Sequence, residues 1–225
     1  MILVCEKAFS ESARASSLAA RRAKRAAKLA EKEAGGSAHK KCTPVSQDIV
    51  GLRVAGERFL SASKDMWDDL TDLERASVKS YTDRGYKDIN KALNGGGDLP
   101  SGLRKQVERL DAVLERSEVP EDLVLYRGIS LKGITSKVPL KEGQEYSENG
   151  FLSTSSSKNM ATEYSKDDRG VLEINVPKGS RGLYVGSVER SANAAEFEFV
   201  LPRDRLLKIR SVDRSSNPPK VVVLS

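Results

Sequence analysis

Histidine and cysteine are scarce in this sequence, and their scarcity excludes several kinds of catalytic site. The 225 residues include one histidine, His39, and two cysteines, Cys5 and Cys42. A Cys/His zinc site needs more ligands than these, and a serine–histidine or cysteine–histidine pair needs a histidine beside the nucleophile. We therefore expect neither chemistry and no metal. A fold held together by several disulfides is excluded too, although the sequence allows one bridge between the two cysteines.

Long apolar runs are also missing. The longest runs, such as Lys220 to Leu224, are far shorter than the roughly 20 residues that a membrane-spanning helix requires. The first residues, MILVCEKAFSES, form a short apolar patch without a preceding basic region or a cleavage-site pattern. We therefore expect a soluble protein with no membrane span and no standard secretory signal.

Basic residues outnumber acidic ones, and part of the excess is concentrated near the start. The formal net charge is +6, and seven lysines and arginines lie between Ala13 and Lys32 in an alanine-rich background. This composition predicts a basic helix that ends at Gly35 and Gly36 and is followed by a linker. Such a helix suits an acidic partner or nucleic acid, while a solvated face or an attachment segment for a virion or carrier is the alternative.

The rest of the chain changes from helical to strand-like spacing. From about Gln47 to Ser117, apolar residues recur at helical spacing, and Thr71 with Glu74 predicts a capping box. From 121 to 225, short apolar runs are separated by Gly, Pro, Ser, Asn and Asp. We predict an α+β fold with N-terminal helices and then a mostly antiparallel sheet, preceded by a basic helical leader and linker at 1–46.

An arginine closes the first apolar strand of the sheet region. The run LVLYRG places Arg127 near the end of this strand, followed by Gly128. The guanidinium is a planar, permanently charged fork of donors that can hold a pyrophosphate at two points. An ion pair with one of the many carboxylates is the alternative for an arginine in this position.

A serine-rich strand and a pair of glutamates follow downstream. In GFLSTSSS, strand alternation places Ser153 and Ser155 on one face, where a hydroxyl can donate to a carboxylate and hold a ligand amide. In EFEF, alternation sends both phenylalanines to the core and Glu196 and Glu198 to the other face, roughly 7 Å apart. A turn and an edge strand with one wet face are the alternatives for these two motifs.

The order of these motifs resembles the R-S-E class of ADP-ribosyltransferases, the superfamily of the binary actin-modifying toxins and the clostridial Rho-modifying exoenzymes. The similarity runs from about Leu70 to Ile209 and is carried by LTDLERASVKSYTDRGYKDINKALNGG, VPEDLVLYRGI, GFLSTS and AAEFEFVLPRDRLLKI. It implies a mostly antiparallel two-sheet core around an NAD cleft, with residues 47–225 as the catalytic domain.

The resemblance also implies roles for individual residues. Arg127 would hold the phosphates and ribose of NAD, and Ser153 would hold the catalytic glutamate in place. Glu198 would bond the 2′-hydroxyl of the nicotinamide ribose and stabilise the positive charge that develops as nicotinamide leaves. Glu196 stands where arginine-modifying members have glutamate, and a carboxylate there can orient a guanidinium and help remove a proton. Further NAD contacts are implied for Gly128, Thr154, Arg169, Tyr81, Tyr86 and Asn90.

These features predict a mono-ADP-ribosyltransferase that uses NAD+ as co-substrate and modifies arginine side chains of target proteins. It would act as a toxin or effector delivered into a target cell, or as a phage-encoded modifier of host proteins. The loop at 187–195 lacks the aromatic residue that several relatives use on their acceptor proteins. The alternatives are an NAD glycohydrolase, in which water replaces the acceptor, and a nucleic-acid-binding or scaffold protein with a decayed transferase fold.

Overall fold

The computed structural model of the chain describes residues 42–95, 98–132, 141–165, 169–186 and 196–224. The predicted basic helix at 13–32 and the loop at 187–195 lie outside these ranges, so what was expected of them stays a prediction. Within the described ranges, helices come first and strands second, as the change in hydrophobic spacing predicted.

The helical half contains α1 (Ile49–Asp68), α2 (Asp72–Ser80), α3 (Tyr86–Asn94) and α4 (Ser101–Arg116), with a π-helical turn, Tyr81–Gly85, between α2 and α3. The predicted capping box begins α2. The Thr71 hydroxyl accepts from the Glu74 N–H at 3.3 Å, and the Glu74 carboxylate accepts from the Thr71 N–H at 2.9 Å. These bonds satisfy backbone donors that no helical carbonyl reaches. Of the helices in the described ranges, none is both long enough and apolar enough to cross a membrane.

The second half contains β1 (Leu123–Ser130), β2 (Glu145–Glu148), β3 (Leu152–Ser155), α5 (Lys158–Glu163), β4 (Arg169–Val176), β5 (Leu183–Tyr184), β6 (Glu198–Leu201), β7 (Arg205–Asp213) and β8 (Lys220–Leu224). The order of the strands across the sheet is β2-β7-β8-β4-β1-β3-β6-β5. Among these described pairings, β4 with β8 is parallel and the others are antiparallel. The predicted α+β arrangement with a mostly antiparallel sheet is therefore confirmed.

The expected division into two sheets is not confirmed, because one hydrogen-bonded order joins the described strands. The groups β2-β7-β8-β4-β1 and β3-β6-β5 meet where β1 pairs with β3, and the described pairing there sets Tyr126 opposite Ser155. By contrast, β1 and β4 are matched along their full lengths, from Leu123 opposite Val176 to Ser130 opposite Arg169. A sheet is defined by hydrogen bonding between its strands, and the short β1–β3 pairing joins the two groups into one sheet. The sequence pattern did not reveal this pairing.

Strand β6 lies between two apolar clusters and thereby directs the side chain of Glu198. Phe199 packs with Phe59 of α1 in one cluster, while Val200 packs with Tyr81 and the α2–α4 helices in the other. Because side chains alternate along a strand, Glu198 lies on the same side of β6 as Val200. The Glu198 side chain therefore lies on the side of β6 that packs against α2–α4.

The residues just before α1 pack against the sheet. Cys42 is buried in a cluster with Val124 and Val171, Thr43 forms a parallel bridge with Leu123, and Val45 packs on the main core. The domain boundary at 46/47 stays a prediction. The last residues that the sequence assigned to the linker nevertheless contribute to the packed domain.

Candidate active site

Three neighbouring strands carry the arginine, the serine and the glutamate that the sequence singled out. Strand β3 lies between β1 and β6. Its residue Ser155 is opposite Tyr126 on one side and opposite Glu198 on the other. This register brings Arg127, which follows Tyr126, close to both of the other motifs. The site is thus assembled by strand pairing between segments that are far apart in the sequence.

Arg127 is held by two acceptors and keeps an unused donor. Its Nη1 donates to the Ser153 carbonyl oxygen at 2.8 Å, and its Nη2 donates to Glu148 Oε2 at 3.2 Å. The Arg127 and Glu148 side chains are 21% and 15% exposed, so water screens this ion pair less than it screens a surface pair. Arg127 Nε is buried and has no acceptor among the described residues. A guanidinium that is fixed in this way suits an anionic ligand.

Glu198 lies in surroundings that favour the protonated form of its carboxyl group. Burial raises the pKa of this carboxyl from 4.5 to about 7. A hydrogen bond from Ser153 opposes the rise in pKa, the negative charge of Glu196 adds to it, and the positive charge of Arg127 opposes it. Burial dominates these opposing effects, so the pKa of Glu198 lies well above its usual range.

A buried tyrosine and an asparagine hold the serine strand from the helical side. Asn90 on α3 pairs with the backbone of Phe151: its Nδ2 donates to the carbonyl at 3.1 Å, and its Oδ1 accepts from the N–H at 2.9 Å. Asn90 Nδ2 also donates to the Tyr81 hydroxyl at 3.3 Å, and this hydroxyl lies 3.2 Å from Ser153 Oγ. Burial raises the pKa of Tyr81 to about 12, so its hydroxyl remains protonated.

Tyr81, which the resemblance implied as an NAD contact, lies behind Ser153. Tyr81 is fully buried, and its hydroxyl contacts the site through Ser153. The partly buried Tyr86 packs edge-on against Tyr81, with ring centroids 6.5 Å apart. Tyr81 and Asn90 therefore support the serine motif, and contact of Tyr81, Tyr86 or Asn90 with NAD stays a prediction.

Glu196 does not share a strand with Glu198, which corrects the geometry expected from EFEF. Strand β6 begins at Glu198, and Phe197 has a positive φ of 49° that interrupts the extended backbone. Alternation along a strand therefore does not place Glu196. Its backbone carbonyl accepts from Ser155 Oγ at 2.5 Å, and its Oε1 accepts from the Tyr164 hydroxyl at 2.6 Å. Glu196 still lies near enough to Glu198 for its charge to raise the pKa of that carboxyl.

The structure gives Gly128 a packing role. A Cβ atom at this position would stand 2.2 Å from the Ala161 carbonyl oxygen and 2.7 Å from the Ser165 nitrogen. Helix α5 can therefore lie on β1 only because residue 128 has no side chain. The NAD contact that the resemblance implied for Gly128 stays a prediction.

Two other residues expected to contact NAD have defined positions in the sheet, Thr154 on β3 and Arg169 at the start of β4. Thr154 is buried, and its hydroxyl donates to the Phe199 carbonyl oxygen of β6 at 2.9 Å, which ties the two strands together. Arg169 begins β4 opposite Ser130, and its side chain lies outside the described part of the structure. Contact of Thr154 or Arg169 with NAD stays a prediction.

Two residues that the sequence did not single out complete the site. Glu148 on β2 pairs with Arg127 and also accepts from the Tyr146 hydroxyl. Tyr164, at the end of α5, donates to Glu196. The sequence did contain a signal for Glu148: the alternation in EYSE places Tyr146 and Glu148 on one face of a strand. No local pattern marks Tyr164, because its partner lies 32 residues away.

The described residues contain no group of three histidine, cysteine, aspartate or glutamate side chains placed to hold a metal ion. The polar groups of the site are a guanidinium, hydroxyls and the carboxylates of Glu148, Glu196 and Glu198. This set can bind an anion beside a position where positive charge develops.

Comparisons with known proteins find relatives among ADP-ribosyltransferases. A family model described as ADP-ribosyltransferase exoenzyme matches residues 56–224. The chain is 27% identical over 168 residues to NAD(+)--arginine ADP-ribosyltransferase EFV of Enterococcus faecalis, covering 70% of this chain and 33% of that protein. It is 26% identical over 178 residues to Mono-ADP-ribosyltransferase C3 of Clostridium botulinum D phage, covering 68% of each. The chain thus spans about a third of the length of the enterococcal relative.

A solved structure shares the fold. The crystal structure of C3stau2 from S. aureus with NAD superimposes with a TM-score of 0.65 at 20% identity, covering 81% of this chain and 97% of that one. Likeness at this level of identity shows the arrangement of helices and strands. The chemistry must be argued from the residues of this chain.

Proposed function

Since this chain belongs to the ADP-ribosyltransferase exoenzyme family, we propose that it cleaves NAD+ at the nicotinamide bond and transfers ADP-ribose to arginine side chains of a target protein. The observation that carries the proposal is the convergence of Arg127, Ser153 and Glu198 on three neighbouring strands. We assign this activity to a catalytic domain at 47–225, which includes the segment matched by the family model.

The arginine provides the anion-binding part of the site. NAD+ carries a pyrophosphate, and Arg127 offers a fixed guanidinium whose Nε lacks an acceptor among the described residues. Its contacts with Ser153 and Glu148 hold the guanidinium in one orientation, so less conformational entropy is lost when a ligand binds. These features support Arg127 as the residue that holds the phosphates of NAD+.

Glu198 provides the charge that favours departure of nicotinamide. Positive charge develops on the ribose when this bond breaks, and a carboxylate already in place stabilises that charge without reorganisation of water. Ser153 orients the carboxylate by a hydrogen bond, and burial of Glu198 strengthens its interaction with a nearby positive charge. The ionised form is the active one, so kcat/KM should rise with pH as Glu198 loses its proton.

Glu196 is the feature that favours arginine as the acceptor. Its carboxylate lies close to Glu198 but is held separately by Tyr164, which supports Glu196 as the residue that binds the incoming acceptor. A guanidinium is protonated in water, and a neighbouring carboxylate can orient it and assist loss of a proton as nitrogen attacks. The enterococcal relative, whose name specifies arginine, supports the same choice.

The proposal can be tested with labelled NAD+ and agmatine, a small guanidine compound that serves as an acceptor. The wild-type protein should release nicotinamide and label agmatine, and Glu198→Gln should lower both activities by at least about a hundredfold, as for removal of one transition-state contact. Glu196→Gln should lower the labelling of agmatine more than the release of nicotinamide. Glu108→Gln, at an exposed position on α4, is the matched control and should retain both activities.

Two results would overturn parts of this assignment. Equal activity of wild type and Glu198→Gln would refute the catalytic role of Glu198. Rapid formation of free ADP-ribose with no labelled agmatine, unaffected by Glu196→Gln, would show an NAD glycohydrolase instead of an arginine transferase.

We propose further that the acceptor is a protein of a cell into which this enzyme is delivered, as a toxin or effector or as a phage-encoded modifier. The C3 relative comes from a phage of Clostridium botulinum D, which supports this setting. The basic segment at 13–32, which lies outside the described residues, is proposed to contact an acidic partner or nucleic acid. Mass spectrometry of a lysate treated with enzyme and NAD+ would identify the acceptor protein and the modified side chain.

A further inference from the structure

We propose that Tyr164 positions the Glu196 carboxylate for the guanidinium of the acceptor, and thereby controls transfer to arginine without controlling cleavage of NAD+. This inference rests on the proposed function of the same site. It assigns Tyr164 as a positioning residue, because its hydroxyl acts through Glu196.

The orientation of Glu196 depends on contacts outside the sheet ladder. The residue precedes β6, and the positive φ of Phe197 separates it from the regular strand. Two hydroxyls hold it: Ser155 Oγ donates to its backbone carbonyl at 2.5 Å, and the Tyr164 hydroxyl donates to Oε1 at 2.6 Å. Among the described residues, Tyr164 is the group that donates to this carboxylate. Loss of its hydroxyl would leave the backbone of Glu196 anchored and the carboxylate free to rotate.

Both hydroxyls belong to one continuous segment, from the end of β3 through α5. Ser155 Oγ accepts from the Ser157 N–H at 2.9 Å, and Ser157 begins α5 by accepting from the Met160 N–H at 3.4 Å. The Tyr164 N–H donates to the Met160 carbonyl at 3.2 Å and so continues the last turn of α5. The bare backbone of Gly128 allows this end of the helix to lie against β1. The segment therefore presents both hydroxyls to Glu196 at a fixed spacing.

The contact leaves Glu196 able to receive an acceptor. The Tyr164 hydroxyl donates one hydrogen to one oxygen, so the second carboxylate oxygen remains for a guanidinium. The hydrogen bond to Glu196 raises the pKa of the Tyr164 phenol, so the phenol remains a donor at neutral pH. Tyr164 is 56% exposed, and water therefore competes with the bond. Its removal should change the rate of transfer modestly, by about threefold to tenfold.

The test compares two reactions of the full chain in parallel, namely hydrolysis of NAD+ without an acceptor and labelling of agmatine. Tyr164→Phe retains the ring and removes only the hydroxyl. We expect kcat/KM for agmatine to fall about threefold to tenfold, while NAD+ hydrolysis changes less than about twofold. In a Glu196→Gln background the same substitution should cause no further loss, because the partner carboxylate is already gone. Tyr184→Phe, which removes a phenol from the apolar cluster of Phe59 and Phe199, is the matched control and should leave both reactions unchanged.

The outcomes separate this inference from the proposed function. Wild-type protein that neither hydrolyses NAD+ nor labels agmatine would overturn both. If wild type performs both reactions, unchanged labelling by Tyr164→Phe would overturn the role of Tyr164 alone. An equal fall in both reactions would show that Tyr164 acts on NAD+ cleavage. An additional loss in the Glu196→Gln background would show that it acts independently of Glu196.

Discussion

Replacing Glu198 with glutamine should stabilise the folded protein in a pH-dependent way. Burial raises the pKa of this carboxyl from 4.5 to about 7, so between these values the folded state binds more protons than the unfolded state. Stability therefore falls as pH rises through this window, and the full cost of the buried charge is present above the folded pKa. Glutamine has no charge to bury, so the variant avoids this cost.

The size of the effect follows from the two pKa values. One pKa unit corresponds to about 1.4 kcal/mol, so the buried charge costs about 3 kcal/mol above the folded pKa. The amide of glutamine also loses part of its hydration and replaces the carboxylate as partner of Ser153, which offsets part of the gain. We expect Glu198→Gln to be more stable than wild type by about 1–3 kcal/mol near pH 8, and by less than about 1 kcal/mol near pH 5.

Urea denaturation of both proteins at several pH values measures this difference directly. Glu108→Gln on the exposed face of α4 is the control, and its stability should track that of wild type at each pH. The reasoning about Glu198 would be refuted if the variant were less stable than wild type at high pH, or if the difference did not depend on pH. An active-site residue whose removal abolishes activity while stabilising the fold would show that its burial serves function at the expense of stability.

The other predictions concern the groups that support the site. Glu148→Gln should lower the free energy of unfolding by about 1–3 kcal/mol, because Arg127 loses a charged partner in a partly buried place. Urea denaturation should show no such loss for Glu145→Gln on the exposed side of β2, and equal losses for both would count against the pair. Gly128→Ala should cost about 1–3 kcal/mol, because its Cβ would collide with the backbone of α5. Gly102→Ala, in open space on α4, should gain about 0.4–1 kcal/mol in the same urea denaturation, and an alanine at 128 that costs nothing would contradict the packing argument.

Local patterns in the sequence predicted a large part of the architecture. The hydrophobic spacing correctly indicated helices before strands, and Thr71 with Glu74 correctly indicated the start of α2. The family resemblance, which rested on the order of the arginine, serine and Glu-x-Glu motifs, is confirmed. These features are local, since the period of a helix or strand and the geometry of a cap depend on residues close together in the chain.

The predictions were incomplete where position depends on contacts between distant segments. Alternation placed Glu196 beside Glu198 on one strand, but the backbone turns at Phe197 before β6 begins. The contacts of Tyr81 also depend on distant segments, because packing buries its ring and brings its hydroxyl to 3.2 Å from Ser153 Oγ. A local pattern carries no information about which surface another element will cover.

The sequence by itself indicated the central groups of the site, because the guanidinium of Arg127, the hydroxyl of Ser153 and the carboxylates of Glu196 and Glu198 follow from residue type and order along the chain. Tertiary structure decided the burial, the pKa and the hydrogen-bond partners of those groups. It buried Glu198 enough to raise its pKa to about 7, paired Arg127 with Glu148, and brought the Tyr164 hydroxyl to Glu196. Burial and hydrogen bonding set the ionisation and orientation of a side chain, and both arise only when segments distant in sequence pack together.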